Sequence, residues 1–418
     1  MQSMKKRVGV LLGGLSAERD VSLESGRNVV MKLFTSQRYT PIPIFVTGTV
    51  NDIQTFIIPI KLLLQDNADE IFRRIKENEI NNFQLDNELT CIKNKYSCTI
   101  SISNIIPISF EGMKNVIDFA FIALHGIPGE DGTIQTIFDG LKIPYNGSSA
   151  DVAKLTMNKY LTNRKLHQNG INVANQYVVN INKWNDNKYK ELTQIEESIK
   201  FPMIVKPVDD GSSYGVVLIS NEKQLIDYID VAFMNRKLTD KLRNEFGLTK
   251  NTYIPFHMDI LIEDLITCEN ANKLIEISCG LITDYSNIDK RYIVFNPSET
   301  VTNNNILSLE EKFLSGEGQN LTPANFVDDI ERNIKINQDV KNVMTNVATI
   351  LNIDGYARID AMVKIFINYI EVWIIEINSL PALTHATCLF HQAAIDGYTP
   401  LDLIEKIIDN GFKKFKIN

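Results

Sequence analysis

Cysteine is scarce and scattered in this chain of 418 residues: the 5 present, Cys91, Cys98, Cys268, Cys279 and Cys388, are odd in number and lack any zinc-type spacing. That excludes a disulfide scaffold and a closed thiolate metal site, and it predicts a reduced, cytoplasmic protein. Positive charge is not in excess either. With 43 Lys and Arg against 51 Asp and Glu, the formal net charge is -8, which argues against general affinity for nucleic acid or an anionic membrane while permitting a local cationic cleft. Long apolar runs are missing too, none approaching the ~20 residues of a membrane span. The opening MQSMKKRVGVLLGG has a basic cluster, but its apolar segment is short and meets Gly-Gly and a charged helix. It reads as a first strand, not a secretory leader.

What is present is the composition of a soluble globular protein, 44% hydrophobic and 22% charged, and too much chain for one ordinary core. Two or three domains are expected. Arg7 to Leu12 forms an apolar strand, Gly13 and Gly14 turn the chain, and SAERDVSLESGRNVVMKLF carries helical periodicity. This is a strand-loop-helix unit of an α/β domain, whose helix start offers N–H groups to an anion. Between about 50 and 115 the chain reads as an elaboration of that domain, helical over Asp66 to Glu79, with alternating short strands in CIKNKYSCTISI. Phe119 to Leu124 is a second buried strand. His125 follows at its carboxyl end, where open α/β sheets place ligands; it is either a satisfied histidine or part of a loop built for close approach by Gly126, Gly129 and Gly132.

Further on, the helix of MNKYLTNRKLHQNG carries Lys159 near its start and ends at Gly170, and Trp184 to Lys200 suits a linking helix and loop. In FPMIVKPVDDGSSYGVVLI a strand ends in Lys206, and a loop with Gly211, Ser212 and Ser213 leads to Gly215. Backbone N–H groups of such a loop can wrap phosphate oxygens beside the lysine, or the segment is a tight glycine hairpin without ligand. The order is not that of a Walker P-loop. DILIEDL is a strand ending in Glu263, able to accept from an adenine amino group or to face water, and Glu276 on LIEISCGLI could meet ribose hydroxyls. LSLEEKFLSGEGQNLTPAN, with Lys312 and Phe313, reads as an exposed loop of the kind that closes sites. Helices are expected over Asp328 to Ile353 and in PLDLIEKIIDNGFKKF.

The chemistry concentrates near the C-terminus. In YIEVWIIEINSLP, Glu376 and Asn378 stand two apart on a strand and share a face, and GYARIDAMV repeats the arrangement with Arg358 and Asp360. A turn around Asn368 would pair the two as an antiparallel hairpin. Two carboxylates and an amide suit Mg²⁺ held jointly with substrate phosphates, or the acids are simply solvated. Arg358 adds a cation that metal ligation does not require.

Taken together, GGLSAERDVSLESG, ALHGIPGEDGTIQ, IPYNGSS, KPVDDGSSYGV, ARID and EINSLPALT resemble, in order, the motifs of the D-alanine:D-alanine ligases, members of the ATP-grasp superfamily. The resemblance covers nearly the whole chain except the insertion before Phe119. It implies an α/β (α+β ATP-grasp) fold in three parts: an N-terminal parallel α/β domain over 1–147, a central ATP-grasp domain over 148–261 and a C-terminal ATP-grasp half over 262–418. It also implies a homodimer that uses ATP and two Mg²⁺ ions, with Mn²⁺ as substitute, to join two D-alanines through an acyl phosphate for peptidoglycan precursor synthesis. Small molecules, not nucleic acid or membrane, would be its partners.

By the same resemblance Glu18, assisted by His125, would hold the amino group of the first D-alanine. Lys159 and Lys206 would contact ATP phosphates, Glu263 and Glu276 the adenosine, and Ser212 and Ser213 would belong to the phosphate loop. Asp360, Glu376 and Asn378 would ligate Mg²⁺, and Arg358 with the backbone N–H near Ala382 would stabilise the oxyanion. Thr387 would receive the second carboxylate, and Lys312 would belong to the lid. Four departures stand out: Phe313 where a lid tyrosine is usual, Ala382 for a glycine, Thr387 for a serine and Tyr214 for a small aliphatic. Phe313 keeps open a ligase with D-lactate or D-serine as second substrate, and a nucleotide-binding homologue without turnover is the alternative from another class.

Overall fold

The computed structural model describes residues 5–77, 104–209, 215–234, 238–248, 254–285, 290–301, 319–385 and 387–417. Ser212, Ser213, Tyr214, Lys312, Phe313 and the CIKNKYSCTISI stretch lie outside the described residues. Three sheets organise the rest.

The first sheet has the order β4-β3-β2-β1-β5 and is built from β1 (Lys6–Gly13), β2 (Tyr39–Thr49), β3 (Asp52–Ile57), β4 (Ile106–Pro107) and β5 (Phe119–Ile122). One side of it, β2-β1-β5, is parallel. Such strands are covered on both faces, which is why VGVLL and FAFI are apolar without alternation. The glycine pair that turns the chain after β1 has φ of 88° and 104°, and Gly14 N–H is bonded to the Val46 carbonyl at 2.9 Å. Helix α1 (Arg19–Leu33) then runs back with Leu23, Val29, Val30 and Leu33 buried.

Past α2 (Thr133–Leu141), α3 (Ala150–Met157) and α4 (Lys159–Gln168), the short strand β6 (Asn172–Val173) joins the third sheet. The central sheet, order β7-β10-β8-β9, is antiparallel and consists of β7 (Gln176–Asn180), β8 (Met203–Pro207), β9 (Val217–Ile219) and β10 (Asp259–Asp264). β10 lies wholly in this sheet, so the sheet extends three residues past 261. The segment Trp184 to Lys200 differs from the linking helix and loop expected of it: it forms two helices, α5 (Ile181–Asp186) and α6 (Lys188–Ser198), whose Trp184, Leu192 and Ile195 enter the central core. Its charged residues hid a narrow apolar stripe. Helix α7 (Glu222–Phe233) adds Leu225, Tyr228 and Ile229 to that core.

The third sheet has seven strands: β6, β11 (Lys273–Asp284), β12 (Arg291–Val294), β13 (Ser298–Val301), β14 (Gln319–Leu321), β15 (Tyr356–Ile365) and β16 (Ile370–Asn378). Helix α8 (Ile330–Leu351) packs Ile336, Val340, Met344, Val347 and Leu351 against it at helical spacing. The last helices, α9 (Cys388–Ile395) and α10 (Pro400–Ile417), return to the start of the molecule, where Leu403, Ile404, Ile407 and Ile408 complete the core of the first sheet. Lys414 Nζ reaches the Gly147 carbonyl at 2.9 Å, and Asn410 donates to the Thr283 carbonyl. The C-terminus thereby ties the first sheet to the third.

Those two parts also meet backbone to backbone. Gly355 has φ of 73°, and a Cβ on it would lie 2.5 Å from Gly147 N and 2.7 Å from Gly147 Cα. Only glycine satisfies both the left-handed backbone and the contact. Gly355→Ala is therefore expected to destabilise by at least about 1–3 kcal/mol, read as a lowered midpoint of thermal denaturation. A midpoint equal to wild type would show that the two segments do not cross so closely.

Candidate functional site

The hairpin of β15 and β16 forms in the expected register, with Arg358 opposite Asn378 and Asp360 opposite Glu376. Between Asp360 and Ala361 the register shifts, leaving Ile375 as the extra residue on β16. This bulge has a purpose visible in the sequence VWIIEIN: the doublet Ile374-Ile375 breaks the alternation, so that Trp373 pairs with Met362 while Glu376 still faces Asp360.

The side chains of this hairpin bind one another. Arg358 Nε and Nη2 donate to the two oxygens of Asp360 at 2.8 and 2.7 Å, Ser278 Oγ donates to Oδ1 at 2.6 Å, and Asn378 Nδ2 to Oδ2 at 3.3 Å. Glu376 lies 4.0 Å from Arg358 Nη2 and 3.9 Å from Lys159 Nζ. Burial works against the charge on Arg358, but the Asp360 carboxylate outweighs it and holds the guanidinium's pKa above its ordinary value. Lys159 is the first residue of α4, which Asn158 caps by accepting Leu161 N–H at 2.9 Å, and Lys159 N–H bonds the Val208 carbonyl at 3.0 Å. Far from being solvated, its side chain is only 10% exposed.

Of these groups Lys159, Glu376 and Asn378 line a cavity of about 330 Å³ where the three sheets meet, together with Glu18, Glu130, Asp209 and His257, while Arg358, Asp360 and Ser278 lie behind its wall. Glu18 is buried at the head of α1 but does not cap it; a Cβ on Gly126 would lie 3.5 Å from its Oε2. Glu130 Oε2 accepts Gly126 N–H at 2.7 Å. Removal from water, with Glu18 close by, pushes the Glu130 carboxyl up to about 8. Two acids that disfavour each other's charge thus sit side by side, a repulsion that a cationic amine would relieve.

His125 is buried and neutral, its pKa pushed down to about 4 by loss of solvent, with the charge of Arg358 adding to the effect and a bond to the Leu380 backbone opposing it. Its Nε2 lies 3.0 Å from Ser25 Oγ, which accepts Leu383 N–H at 3.1 Å, and Asn28 donates to the Leu383 carbonyl at 2.8 Å. The histidine thereby ties α1 to the loop after β16. Within that loop Ala382 packs on Val21, and it is not among the described non-glycine residues with positive φ, which are Lys142, Glu269 and Asn352. Alanine for glycine therefore carries no backbone strain there. Thr387 is buried at the head of α9.

Glu263 does not face water. Leu261 pairs with Lys206, so Lys206 and Glu263 share a face, and they form a 2.5 Å ion pair that is nearly buried, with Gln176 donating to Glu263 at 2.6 Å. Glu276 is half-buried on β11, one pleat from Ser278 and on the face that bears Asp360. Ser278 and Glu130 were not singled out from the sequence. The first had a signal, its two-residue spacing from Glu276, and the second stands inside ALHGIPGEDGTIQ.

The oxygen set suits a hard cation. Among the described residues no group of three or more His, Cys, Asp and Glu side chains is gathered for a metal, so the site offers two carboxylates and an amide. That is too few ligands for a protein-only cage and enough for Mg²⁺ that shares phosphate oxygens with a substrate. Of the hydrogen bonds on Asp360, the one from Asn378 is longest, and the same amide carries an oxygen that can ligate in exchange.

Two family models match, described as D-ala D-ala ligase N-terminus, over residues 7–148, and D-ala D-ala ligase C-terminus, over residues 166–239 and 248–409. The chain is 29% identical over 303 residues to the D-alanine--D-alanine ligase of Phocaeicola vulgatus, covering 72% of this chain and 79% of that one. It is 25% identical to that of Geobacter sulfurreducens, covering 98% and 95%. In structure it is similar to the VanG D-Ala:D-Ser ligase from Enterococcus faecalis, with a TM-score of 0.66, 19% identity and coverage of 98% and 100%. It is likewise similar to the D-alanine--D-alanine ligase from Bacillus anthracis complexed with ATP, with a TM-score of 0.62, 22% identity and 99% coverage of both chains. At these identities the structural matches speak for the fold, while the family models span most of the sequence: the chain belongs to the D-alanine–D-alanine ligase family.

Proposed function

We propose that this protein is an ATP-dependent ligase that joins two D-alanines through an acyl phosphate to supply a peptidoglycan precursor. The observation that carries the reading is the single cavity onto which Glu18, Lys159, Glu376 and Asn378 converge from all three parts of the fold. We assign the three functional parts to 1–147, 148–261 and 262–418, with ATP between the last two, and a homodimer as the working assembly.

The roles follow from charge. Glu18, with Glu130 behind it, binds the ammonium of the first D-alanine and leaves that substrate's carboxylate directed toward the metal end of the cavity. A carboxylate approaching the γ-phosphate of ATP meets a strongly anionic target, so cations must offset the repulsion. Lys159 supplies one, Lys206 a second once phosphate competes with Glu263 for it, and Ser212 and Ser213 provide donors to the phosphates. Asp360, Glu376 and Asn378 would hold two Mg²⁺ ions, or Mn²⁺ in their place, which neutralise phosphate oxygens when bound. Glu263 and Glu276 serve the adenosine.

In the second step an amine attacks the acyl carbonyl and negative charge develops on its oxygen. Arg358, fixed by Asp360, and the backbone N–H near Ala382 donate to that oxygen. Thr387 receives the carboxylate of the second D-alanine. The acyl phosphate must be kept from water, and Lys312 and Phe313 are assigned to the lid that does so. Thr387 retains a hydroxyl where the resembling ligases carry serine, and Ala382 keeps its backbone N–H, so neither departure removes a donor.

Three variants test these assignments. Glu376→Gln is expected to abolish D-alanine-dependent ADP formation in a protein that keeps its circular dichroism spectrum, and Ser278→Ala to raise the Mg²⁺ needed for half-maximal rate by about 10- to 100-fold. Turnover of Glu376→Gln at the wild-type rate would remove the metal assignment. Glu18→Gln should raise KM for the first D-alanine at least about tenfold, the loss of a charge-assisted hydrogen bond, with KM for ATP unchanged. Equal kinetics would mean that another residue holds the amine.

A further inference from the structure

The roles above leave one wall of the cavity unexplained. There the segment before β10 places His257 against the end of β8, with Nδ1 3.2 Å from Asp209 Oδ1 and the imidazole side chain 15% exposed. Both residues line the cavity that Glu18, Lys159 and Glu376 line. The hydrogen bond from His257 holds the Asp209 carboxyl below the usual carboxylate range against its partial loss of solvent, so the histidine meets an anion. A carboxylate at Nδ1 keeps a proton on that nitrogen and puts Nε2 in its basic form.

The second half of a ligation requires such a base, because a free amino acid arrives as an ammonium ion, which has no lone pair for attack. Other groups around the cavity are committed or unsuited. Glu18 is engaged with the first ammonium and Glu376 with the metal, while Lys159 is a cation. Glu130 is buried beside Glu18 with an oxygen already bonded to the Gly126 N–H, and His125, pushed down to about 4 and bonded to Ser25, is too weak a base.

We propose that His257, oriented by Asp209, accepts a proton from the ammonium of the second amino acid so that its nitrogen can attack the acyl phosphate. The assignment rests on the ligase reading. One N–H proton passes to Nε2, giving an imidazolium paired with Asp209. The nitrogen lone pair forms the C–N bond as the acyl C–O bond to phosphate breaks. The second proton lost by nitrogen leaves with inorganic phosphate, and the imidazolium returns its proton to solvent.

The test compares two nucleophiles in the full-length protein with ATP, Mg²⁺ and D-alanine. Hydroxylamine is largely uncharged near pH 7 and captures an acyl phosphate without needing a base. In His257→Gln, formation of the dipeptide should fall by about 10²-fold or more while D-alanyl hydroxamate forms within twofold of the wild-type rate. That second reaction also reports an intact fold and nucleotide site. Should His257→Gln fail to fold, Asp209→Asn is read by the same ratio of products. An equal fall in both products, or an unchanged dipeptide rate, would overturn the proposal. Wild-type protein that forms neither product would instead overturn the ligase reading, and this proposal with it.

Discussion

The buried pair of Arg358 and Asp360 is the contact on which the site depends. Two acids, Asp360 and Glu376, face each other across a hairpin at the junction of three sheets, where a lone carboxylate would be protonated or expelled. Arg358 is placed on the same strand, two residues before Asp360, and grips it with two hydrogen bonds. Breaking such a pair by removing one partner costs about 3–5 kcal/mol, because a buried charge is left behind. The same guanidinium lies 4.0 Å from Glu376, which Lys159 also approaches, so one cation is shared between the two acids of the hairpin.

The remainder of the fold brings distant segments to that pair. Helix α10 completes the core of the first sheet although it follows the third in sequence, and His125 with Ser25 and Asn28 secures the loop after β16 to α1. Glu18, at the head of α1, thereby lines the same cavity as Glu376. Lys159 reaches the same place because α4 begins where the chain crosses the end of β8. The central sheet contributes Lys206 and Glu263 as an ion pair that ties neighbouring strands; a phosphate would have to compete for that lysine.

Much of this was legible in the sequence because the informative patterns are local. The period-two placement of Arg358, Asp360, Glu376 and Asn378 predicted a hairpin, and its register followed. Helices α1, α8 and α10 announced themselves by apolar spacing. Three kinds of feature were not legible. The first is pairing between segments far apart, as in Lys206 with Glu263 or Asp209 with His257, where neither partner carries a local signal of the other. The second is a narrow apolar stripe among charges, as in α5 and α6, where Trp184, Leu192 and Ile195 were outnumbered. The third is the state of a group in its surroundings: Glu130 is one glutamate among many until burial and the nearby Glu18 are seen to push its carboxyl upward. The bulge at Ile375 lies between these cases, since the doublet was visible but its effect on side-chain direction needed the paired strand.

The most direct measurement is anomalous diffraction from Mn²⁺ in crystals grown with a non-hydrolysable ATP analogue and D-alanine. The account predicts a peak about 2.0–2.2 Å from oxygens of Glu376 and of Asp360 or Asn378, with analogue phosphates completing the coordination beside Lys159. A metal bound to the analogue but away from all three side chains would contradict it.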